Sequence, residues 1–176
     1  MRKMFVKTEN YRKFVSAVKA VEQRGAAEAG MMLVYGVPGL GKSHIVSSWA
    51  AETGAIFLRA NKDWTPRYAL SELAAALEID GRGNSQKLFA RLLKPIAANQ
   101  WPIVIDEAEF TLANQAASLE KIRDISDRAE NTVILIGMGN IQNDIKRYGQ
   151  ISSRIARVVE FLPATLEDVQ SACKQL

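Results

Sequence analysis

The residues whose types and spacing first suggest chemistry are Gly36, Gly41, Lys42 and Ser43, which fit the pattern G-x-x-x-x-G-K-[ST]. Glycines here let backbone N–H groups turn toward a bound anion, and the N-terminus of a following helix adds partial positive charge. The lysine can then reach the β- and γ-phosphates of a nucleotide, while the next hydroxyl can bind Mg²⁺. The alternative is a glycine-rich turn with an incidental lysine. We therefore predict a phosphate-binding loop made of Gly36, Val37, Pro38, Gly39, Leu40, Gly41, Lys42, Ser43 and His44.

Two carboxylates, Asp106 and Glu107, end an apolar run that begins at Pro102. A carboxylate at the tip of a buried strand needs a cation or strong hydrogen-bond donors to stay ionised at low cost. Beside a phosphate-binding loop, Asp106 would hold Mg²⁺ together with Ser43, and Glu107 would orient and deprotonate an attacking water. Alternatively, both carboxylates cap the next segment in solvent. Glu109 has no comparable position and is predicted to be solvated.

Two further polar positions are candidates for the same reaction. Asn140 follows the fourth apolar run, so its amide could lie between a γ-phosphate and the attacking water, or it could N-cap the next helix. Arg147, Arg154 and Arg157 cluster before the fifth run, and an arginine there could reach the γ-phosphate bound to a neighbouring subunit. Arg154 is the preferred candidate, with an ordinary surface arginine as the alternative. His44 lacks partners for a triad or a metal site, so it is expected to pack against its own helix.

Short apolar runs alternate with helical patterns along the chain, and they predict strands at residues 31–35, 55–60, 102–107, 132–136 and 157–161. Continuous apolar strands separated by helices predict an α/β fold, in which a parallel sheet is covered on both faces. The helices are expected at 9–23, 42–52, after Thr65, after a Ser85 cap, at 115–129, at 141–148 with an end at Gly149, and after a capping box at Thr165. Ligands should gather at the carboxyl ends of the strands, where the candidate residues lie.

The length, composition and charge of the chain limit the kinds of protein that it can be. The 176 residues are 48% hydrophobic and 24% charged, which suits one domain with a sizeable core. We predict a cytoplasmic protein without a membrane partner, because neither a spanning segment nor a signal peptide is evident. The single Cys173 cannot form an internal disulfide. The net charge of +4 is concentrated in residues 1–25, which hold seven Lys or Arg against two Glu. That excess suits either a polyanion partner or a solvated helix face.

With these residues in place, the chain resembles an AAA+ ATPase. The similarity lies in the order of a strand with its phosphate loop, a strand ending in Asp-Glu, a strand followed by a polar residue, and Ser-Ser-Arg before a short strand. It implies a P-loop NTPase of the AAA+/ASCE type, a three-layer sandwich with a five-stranded parallel sheet of order 5-1-4-3-2. More narrowly, residues 103–108, 122–124 and 134–138 resemble the DNA-transposition ATPases related to the phage Mu B protein.

The resemblance implies a Mg²⁺-dependent ATPase that binds double-stranded DNA without sequence specificity, assembles into filaments or rings, and delivers target DNA to a transposase. It also implies roles for residues: Walker A for Lys42 and Ser43, Walker B for Asp106 and Glu107, sensor 1 for Asn140 and the arginine finger for Arg154. The cofactors would be ATP and Mg²⁺. Two alternatives stay open, namely another AAA+ DNA-associated ATPase such as a helicase loader, and a small-molecule P-loop kinase.

Two further expectations concern the domain boundaries and the residues that contact DNA. Residues 1–162 are expected to form the AAA+ core with an N-terminal amphipathic helix, and 163–176 the start of a truncated or missing lid, so that no sensor-2 arginine can be placed. DNA contacts are expected from the loop after the second strand, where Lys62 and Arg67 flank Trp64. Cations suit phosphates, and a tryptophan can lie against a sugar or base. The alternative is a surface loop whose tryptophan packs on the next helix.

Overall fold

The computed structural model describes residues 6–25 and 29–175, so the basic residues Arg2 and Lys3 lie outside the described residues. The strands are β1 (Met31–Tyr35), β2 (Ile56–Arg59), β3 (Ile103–Asp106), β4 (Val133–Gly137) and β5 (Ile155–Glu160). The helices are α1 (Glu9–Glu22), α2 (Lys42–Thr53), α3 (Pro66–Ala76), α4 (Ser85–Asn99), α5 (Ala113–Ala129), α6 (Ile141–Ile145), α7 (Gly149–Ser152) and α8 (Leu166–Gln175), with a 3₁₀ helix at Ala108–Leu112 between β3 and α5.

The strands form one parallel sheet in the order β2-β3-β4-β1-β5. This confirms both the predicted α/β class and the order 5-1-4-3-2, which is the same sequence counted from the opposite edge. The phosphate loop follows β1, which lies between β4 and β5. The carboxyl ends of parallel strands share one edge of the sheet, so the residues that follow β1, β3 and β4 come together.

Two apolar cores cover the two faces of the sheet. Side chains of a strand point alternately to opposite faces, so Met31 and Leu33 of β1 join one core while Met32 and Val34 join the other. The first core is completed by buried residues of α3, α4 and α5. The second is completed by α1 and α2, where the rings of Phe14 and Trp49 meet edge to face at 5.3 Å. Helices on both faces explain why β1, β4 and the first three residues of β3 are apolar without alternation. The edge strands β2 and β5 carry exposed charged residues.

The helix ends follow the predicted chemistry with one difference. Thr65 accepts a hydrogen bond from the Tyr68 backbone N–H and Pro66 is the first helical residue, as predicted. A reciprocal capping box at Thr165 and Asp168 begins α8, also as predicted. The prediction for α4 was wrong by one residue. Asn84 is its cap, because the Asn84 side chain accepts from the Lys87 N–H at 2.9 Å and thereby makes Ser85 the first helical residue.

Other boundaries also differ from the sequence prediction. The segment expected to be one helix over 141–148 ends at Ile145, and Gly149 begins α7 rather than ending a helix. Strand β5 begins at Ile155 rather than 157, because Ile155 pairs with the first residue of β1. The first turn of α5 is distorted by positive φ angles at residues 114–116. Among the described residues, no helix is long and apolar enough to cross a membrane.

Candidate functional site

The loop between β1 and α2 is shaped by two glycines. Gly36 has φ +151°, and a Cβ on it would lie 2.7 Å from the carbonyl oxygen of Phe161, so no other residue fits there. Gly41 has φ +75° and is the cap residue of α2, which begins at Lys42. The loop therefore delivers the positive end of α2 to the carboxyl edge of the sheet, as anion binding requires.

Asp106, the last residue of β3, faces this loop. Its side chain is nearly fully buried, and its Oδ1 accepts a hydrogen bond from the Ser43 hydroxyl at 3.0 Å. The same oxygen accepts from the backbone N–H of Glu107 at 3.0 Å. Residues 63 positions apart in sequence thus meet because β3 and the start of α2 reach the same edge. The solvent-capping alternative for Asp106 is wrong, because the carboxylate is buried and held.

Lys42 lies inside the loop, not in solvent. Its ammonium donates to the carbonyl oxygens of Gly36 at 2.7 Å and Val37 at 2.9 Å. Burial lowers the pKa of Lys42, while the carboxylates of Glu109 and Asp106 partly offset that effect. The ammonium donates to two neutral carbonyl oxygens, and an anionic phosphate oxygen would be a stronger acceptor for it.

Arg59, at the end of β2, is a residue that sequence reasoning missed. It pairs in register with Asp106, and its Nη2 donates to Asp106 Oδ2 at 3.1 Å. Its Nε also lies 3.9 Å from Glu107 Oε1. The signal was present, since Arg59 is the one charged residue in the apolar run 55–60. The guanidinium serves as the counter-charge of the buried Asp106 and makes only a loose contact with the half-exposed Glu107.

A cavity at the carboxyl ends of the strands brings together part of the predicted phosphate loop and both carboxylates of the Asp106-Glu107 pair. It is lined by Pro38, Gly39, Gly41, Lys42, Ser43, His44, Asp106, Glu107, Glu109, Ile136, Gly137 and Met138. Two outcomes differ from the sequence prediction. His44 is exposed and lines the cavity, so the expectation that it packs against its helix is wrong. Glu109 also lines the cavity and its Oε2 is buried, so the expectation that it is solvated is wrong as well.

Asn140 follows β4 by three residues and is exposed. It occupies the cap position of α6, but its side chain makes no cap hydrogen bond, and its backbone carbonyl accepts from the N–H groups of Asn143 and Asp144. The side chain is not among those lining the cavity. Neither of the two predicted side-chain roles is formed in this arrangement, so the role of Asn140 next to a γ-phosphate stays a prediction.

Arg154 lies at the amino ends of the strands, on the side of the sheet away from the phosphate loop. Its backbone carbonyl accepts from the N–H of Met31, the first residue of β1, whereas the phosphate loop follows the last residue of that strand. Its Nε donates to both carboxylate oxygens of Asp127 at 3.1 and 3.2 Å. Arg147 is exposed and paired with Asp144, and Arg157 is exposed. Because β1 spans about 16 Å at ~3.3 Å per residue, Arg154 cannot act on its own subunit's loop.

The predicted DNA-contact loop is corrected at Trp64. Trp64 is buried with 2% exposure inside the core against α3 and α5, so its ring is not available to stack on nucleic acid. Arg67 is half-buried and donates to the carbonyl oxygens of Gly81 and Gly83. The alternative reading, a tryptophan packed on the following helix, is the observed one. Lys62 is exposed and stays a candidate.

The site can be tested for its fit to Mg²⁺. This ion takes oxygen ligands, and Ser43 and Asp106 bring a hydroxyl and a carboxylate within 3.0 Å of each other. The position also attracts a cation, since Asp106 already pairs with Arg59. Among the described residues there is no group of three or more His, Cys, Asp or Glu side chains that could hold a metal. A hydroxyl and a carboxylate fit a Mg²⁺ ion that would take its other ligands from water and nucleotide phosphates, as in phosphoryl-transfer sites.

Comparisons with solved structures show the fold. The chain is similar to a Walker-type ATPase, PABY2304, of Pyrococcus abyssi, with 17% identity over 97% of this chain and 57% of that chain and a TM-score of 0.71. It is also similar to the Aeropyrum pernix Orc1 protein in complex with DNA, with 18% identity over 98% and 49% of the two chains and a TM-score of 0.64. Cdc6p from Pyrobaculum aerophilum gives 13% identity over 99% and 51%, with a TM-score of 0.62.

These structures are longer than this chain, which spans about half of their length. A comparison with curated proteins finds no match. A family model, by contrast, matches most of the chain: the model described as AAA domain covers residues 24–143. That range contains the phosphate loop, both carboxylates that follow β3, and Asn140. The matched range and the geometry of the site agree, and the chain belongs to the AAA domain family.

Proposed function

We propose that this protein binds ATP with Mg²⁺ and hydrolyses it to ADP and phosphate. The observation that supports this most strongly is the 3.0 Å hydrogen bond between the Ser43 hydroxyl and Asp106, because it places both expected metal ligands beside the phosphate loop. The loop glycines and the N-terminus of α2 would surround the β- and γ-phosphates, and Lys42 would exchange its carbonyl partners for phosphate oxygens. A Mg²⁺ ion held by Ser43 and Asp106 would offset charge on the β- and γ-phosphate oxygens.

Hydrolysis needs a group that takes a proton from the attacking water. The water oxygen bonds to the γ-phosphorus, the bond to the bridging oxygen breaks with its electron pair on ADP, and a water proton passes to a carboxylate. Glu107 lines the cavity at its mouth and is our candidate for that base. Its contact with Arg59 at 3.9 Å is loose enough to open when a nucleotide arrives.

We propose that the active form is an assembly of identical subunits. The support is the position of Arg154, which lies at the edge of the sheet away from its own phosphate loop. An arginine finger in that place would act on the γ-phosphate of an adjoining subunit, after the contact with Asp127 rearranges.

The partner proposed from the resemblance is double-stranded DNA, bound without sequence specificity, and the further partner is a transposase. Exposed cations support contact with a phosphate backbone. Lys62 projects from the loop after β2, and Arg12, Lys13 and Arg157 line a shallow groove between α1 and β5. Two of these are partly neutralised, since Lys13 pairs with Glu9 at 2.6 Å and Arg12 lies 3.9 Å from Asp168. The expected DNA affinity is therefore modest and strongly salt-dependent.

A second candidate is an AAA+ ATPase that acts on DNA during replication, such as a helicase loader. The observation that favours it is the similarity of fold to an Orc1 protein solved in complex with DNA and to Cdc6p. The AAA+ core would then span residues 1–162, and the segment 163–176 would begin a lid in either case. Helix α8, at Leu166–Gln175, is the part of that segment that is observed.

The experiment that tests the proposal measures phosphate release from ATP with Mg²⁺, with and without a DNA duplex of random sequence. We expect release that depends on Mg²⁺, rises with DNA, and is accompanied by filaments or rings in electron microscopy. Stimulation of a transposase encoded beside this protein would support the first candidate, and a neighbouring replicative helicase the second. Transfer of the γ-phosphate to a small acceptor instead of water would show that the protein is a kinase and would contradict the proposal.

A further inference from the structure

Glu109 lies in the 3₁₀ helix that follows β3, three residues after Asp106. Its side chain lines the same cavity as Lys42, Ser43 and Asp106. Its Oε2 atom is buried and has no hydrogen-bond partner among the residues that the structure describes. A buried, unpaired carboxylate oxygen destabilises a protein, so its presence in the cavity calls for a partner that joins the site later.

The surroundings of Glu109 are shaped to admit that carboxylate. Gly137 ends β4 directly above it, and a Cβ on Gly137 would lie 3.0 Å from Glu109 Oε2 and against Ile141. The glycine leaves space that a side chain would fill. Glu109 is also close enough to Lys42 for its charge to raise the lysine's pKa, against the effect of burial, and both side chains line the same cavity.

The two glutamates approach the cavity from different directions. The Glu107 side chain is 45% exposed and lies 3.9 Å from Arg59, while Glu109 has a buried Oε2 atom next to Gly137 at the end of β4. Neither is needed as a ligand in the proposed metal site, for which Asp106 and Ser43 already contact each other. A water between the two carboxylates could direct one hydrogen to each of them and its lone pair to the γ-phosphorus.

We propose that Glu109 is a catalytic residue of this site, whose carboxylate accepts a hydrogen bond from the water that attacks the γ-phosphate. The inference rests on the proposed ATP hydrolysis. Glu107 takes the proton that leaves the water, and Glu109 holds the other hydrogen and so fixes the direction of attack. The reaction is otherwise the hydrolysis described above, with the same bonds formed and broken.

The test compares Glu109→Ala, Glu109→Gln and Glu107→Gln, with Glu52→Gln on the exposed surface of α2 as a matched control. We expect Glu109→Ala to lower kcat about 100-fold and Glu109→Gln about tenfold, because glutamine keeps a carbonyl oxygen that accepts the hydrogen bond. Glu107→Gln should lower kcat by at least about 100-fold, since an amide cannot take the proton. Glu52→Gln should match the wild type.

Two readouts separate this role from a structural one. The Kd for a fluorescent, slowly hydrolysed ATP analogue should stay within about threefold of the wild type, and the Tm without nucleotide should not fall, because the unpaired carboxylate is removed. The inference is overturned if Glu109→Ala retains wild-type kcat, or if its kcat, affinity and Tm decline together. If the wild type releases no phosphate under any condition, the proposed function itself fails. A wild type that is active beside an equally active Glu109→Ala refutes this inference alone.

Discussion

Removing the Arg59 side chain should increase the apparent affinity of the site for Mg²⁺. Arg59 Nη2 lies 3.1 Å from Asp106 Oδ2, and the carboxylate is 4% exposed while the guanidinium is 61% exposed. Mg²⁺ would have to displace or share this contact, and the nearby positive charge also repels it. Arg59 weakens Mg²⁺ binding in both ways, so Arg59→Ala should raise the affinity of the site for Mg²⁺.

The size of the effect follows from the exposure of the pair. Opposite unit charges about 4 Å apart attract by roughly 4 kcal/mol at an effective dielectric constant of 20. The exposed guanidinium is screened by water, and measured values for exposed pairs are about 0.2–1 kcal/mol. We take about 1 kcal/mol, because one partner is buried, which corresponds to about a fivefold lower Mg²⁺ concentration at half-maximal nucleotide binding. Without Mg²⁺ and nucleotide, Arg59→Ala should lower the free energy of unfolding by about 1 kcal/mol, which corresponds to a Tm about 2–4 °C lower.

The assay is a Mg²⁺ titration of the binding of a fluorescent ATP analogue, followed by thermal unfolding in the presence and absence of EDTA. Arg82→Ala is the matched control, because Arg82 is 94% exposed and pairs only loosely with Asp80, at 3.7 Å. The reasoning is refuted if Arg59→Ala needs the same or more Mg²⁺ than the wild type. It is also refuted if Arg82→Ala produces the same shift, since the effect would then be one of general surface charge.

Three other predictions concern separate parts of the molecule. Lys42→Ala should weaken ATP binding at least about tenfold, because the charge that meets the phosphates is lost, and unchanged affinity by calorimetry would contradict the proposed loop. Arg154→Ala should lose assembly-dependent ATPase activity, and mixing it with Lys42→Ala should restore part of it; a mixture that stays inactive would argue against action between subunits. Asp168→Asn should lower the free energy of unfolding by about 1–2 kcal/mol at pH 7, and by less at an acidic pH below the ordinary aspartate pKa, as measured by denaturant unfolding. Burial raises the pKa of Asp168, but hydrogen bonds from Thr165 and Glu9 and the charge of Arg12 outweigh it, so the pKa of Asp168 in the folded protein lies below its ordinary value. That stability is present above the unfolded pKa and is lost as the pH falls through the folded one; an equal cost at both pH values would count against this account.

The positions of most strands, helices and helix caps could be predicted from the sequence, because the interactions that set them act between residues close together in the chain. Apolar strands, the Thr65 cap with Pro66, and the capping box at Thr165 act within a few residues, so sequence reasoning found them. Errors arose where two neighbouring residues compete for one role, as Asn84 and Ser85 do at the start of α4. The strand order was available only through the resemblance, since it depends on crossovers that no local pattern records.

The residues of the candidate site also fall into two groups, those that the sequence could identify and those that it could not. The motif containing Lys42 and Ser43 and the Asp106-Glu107 pair could be identified from residue types, because phosphate and metal chemistry require those types at fixed spacing. The places of Arg59, Glu109 and Trp64 could not. Arg59 acquires meaning only because β2 pairs with β3, and Glu109 only because β4 ends in a glycine beside it. Trp64 looks like a surface ligand in sequence and is buried in the core.

The amino-acid sequence by itself determined that this protein has a phosphate-binding loop and an acidic pair at the end of an apolar strand, because both are written in contiguous residues. Only the tertiary structure decided which charges face them. The parallel sheet brings the ends of β1, β2, β3 and β4 to one edge and leaves Arg154 at the other. The order of the strands, and the end of a strand at which a residue lies, determine whether a charged side chain becomes part of the site, as Arg59 does and Arg154 does not.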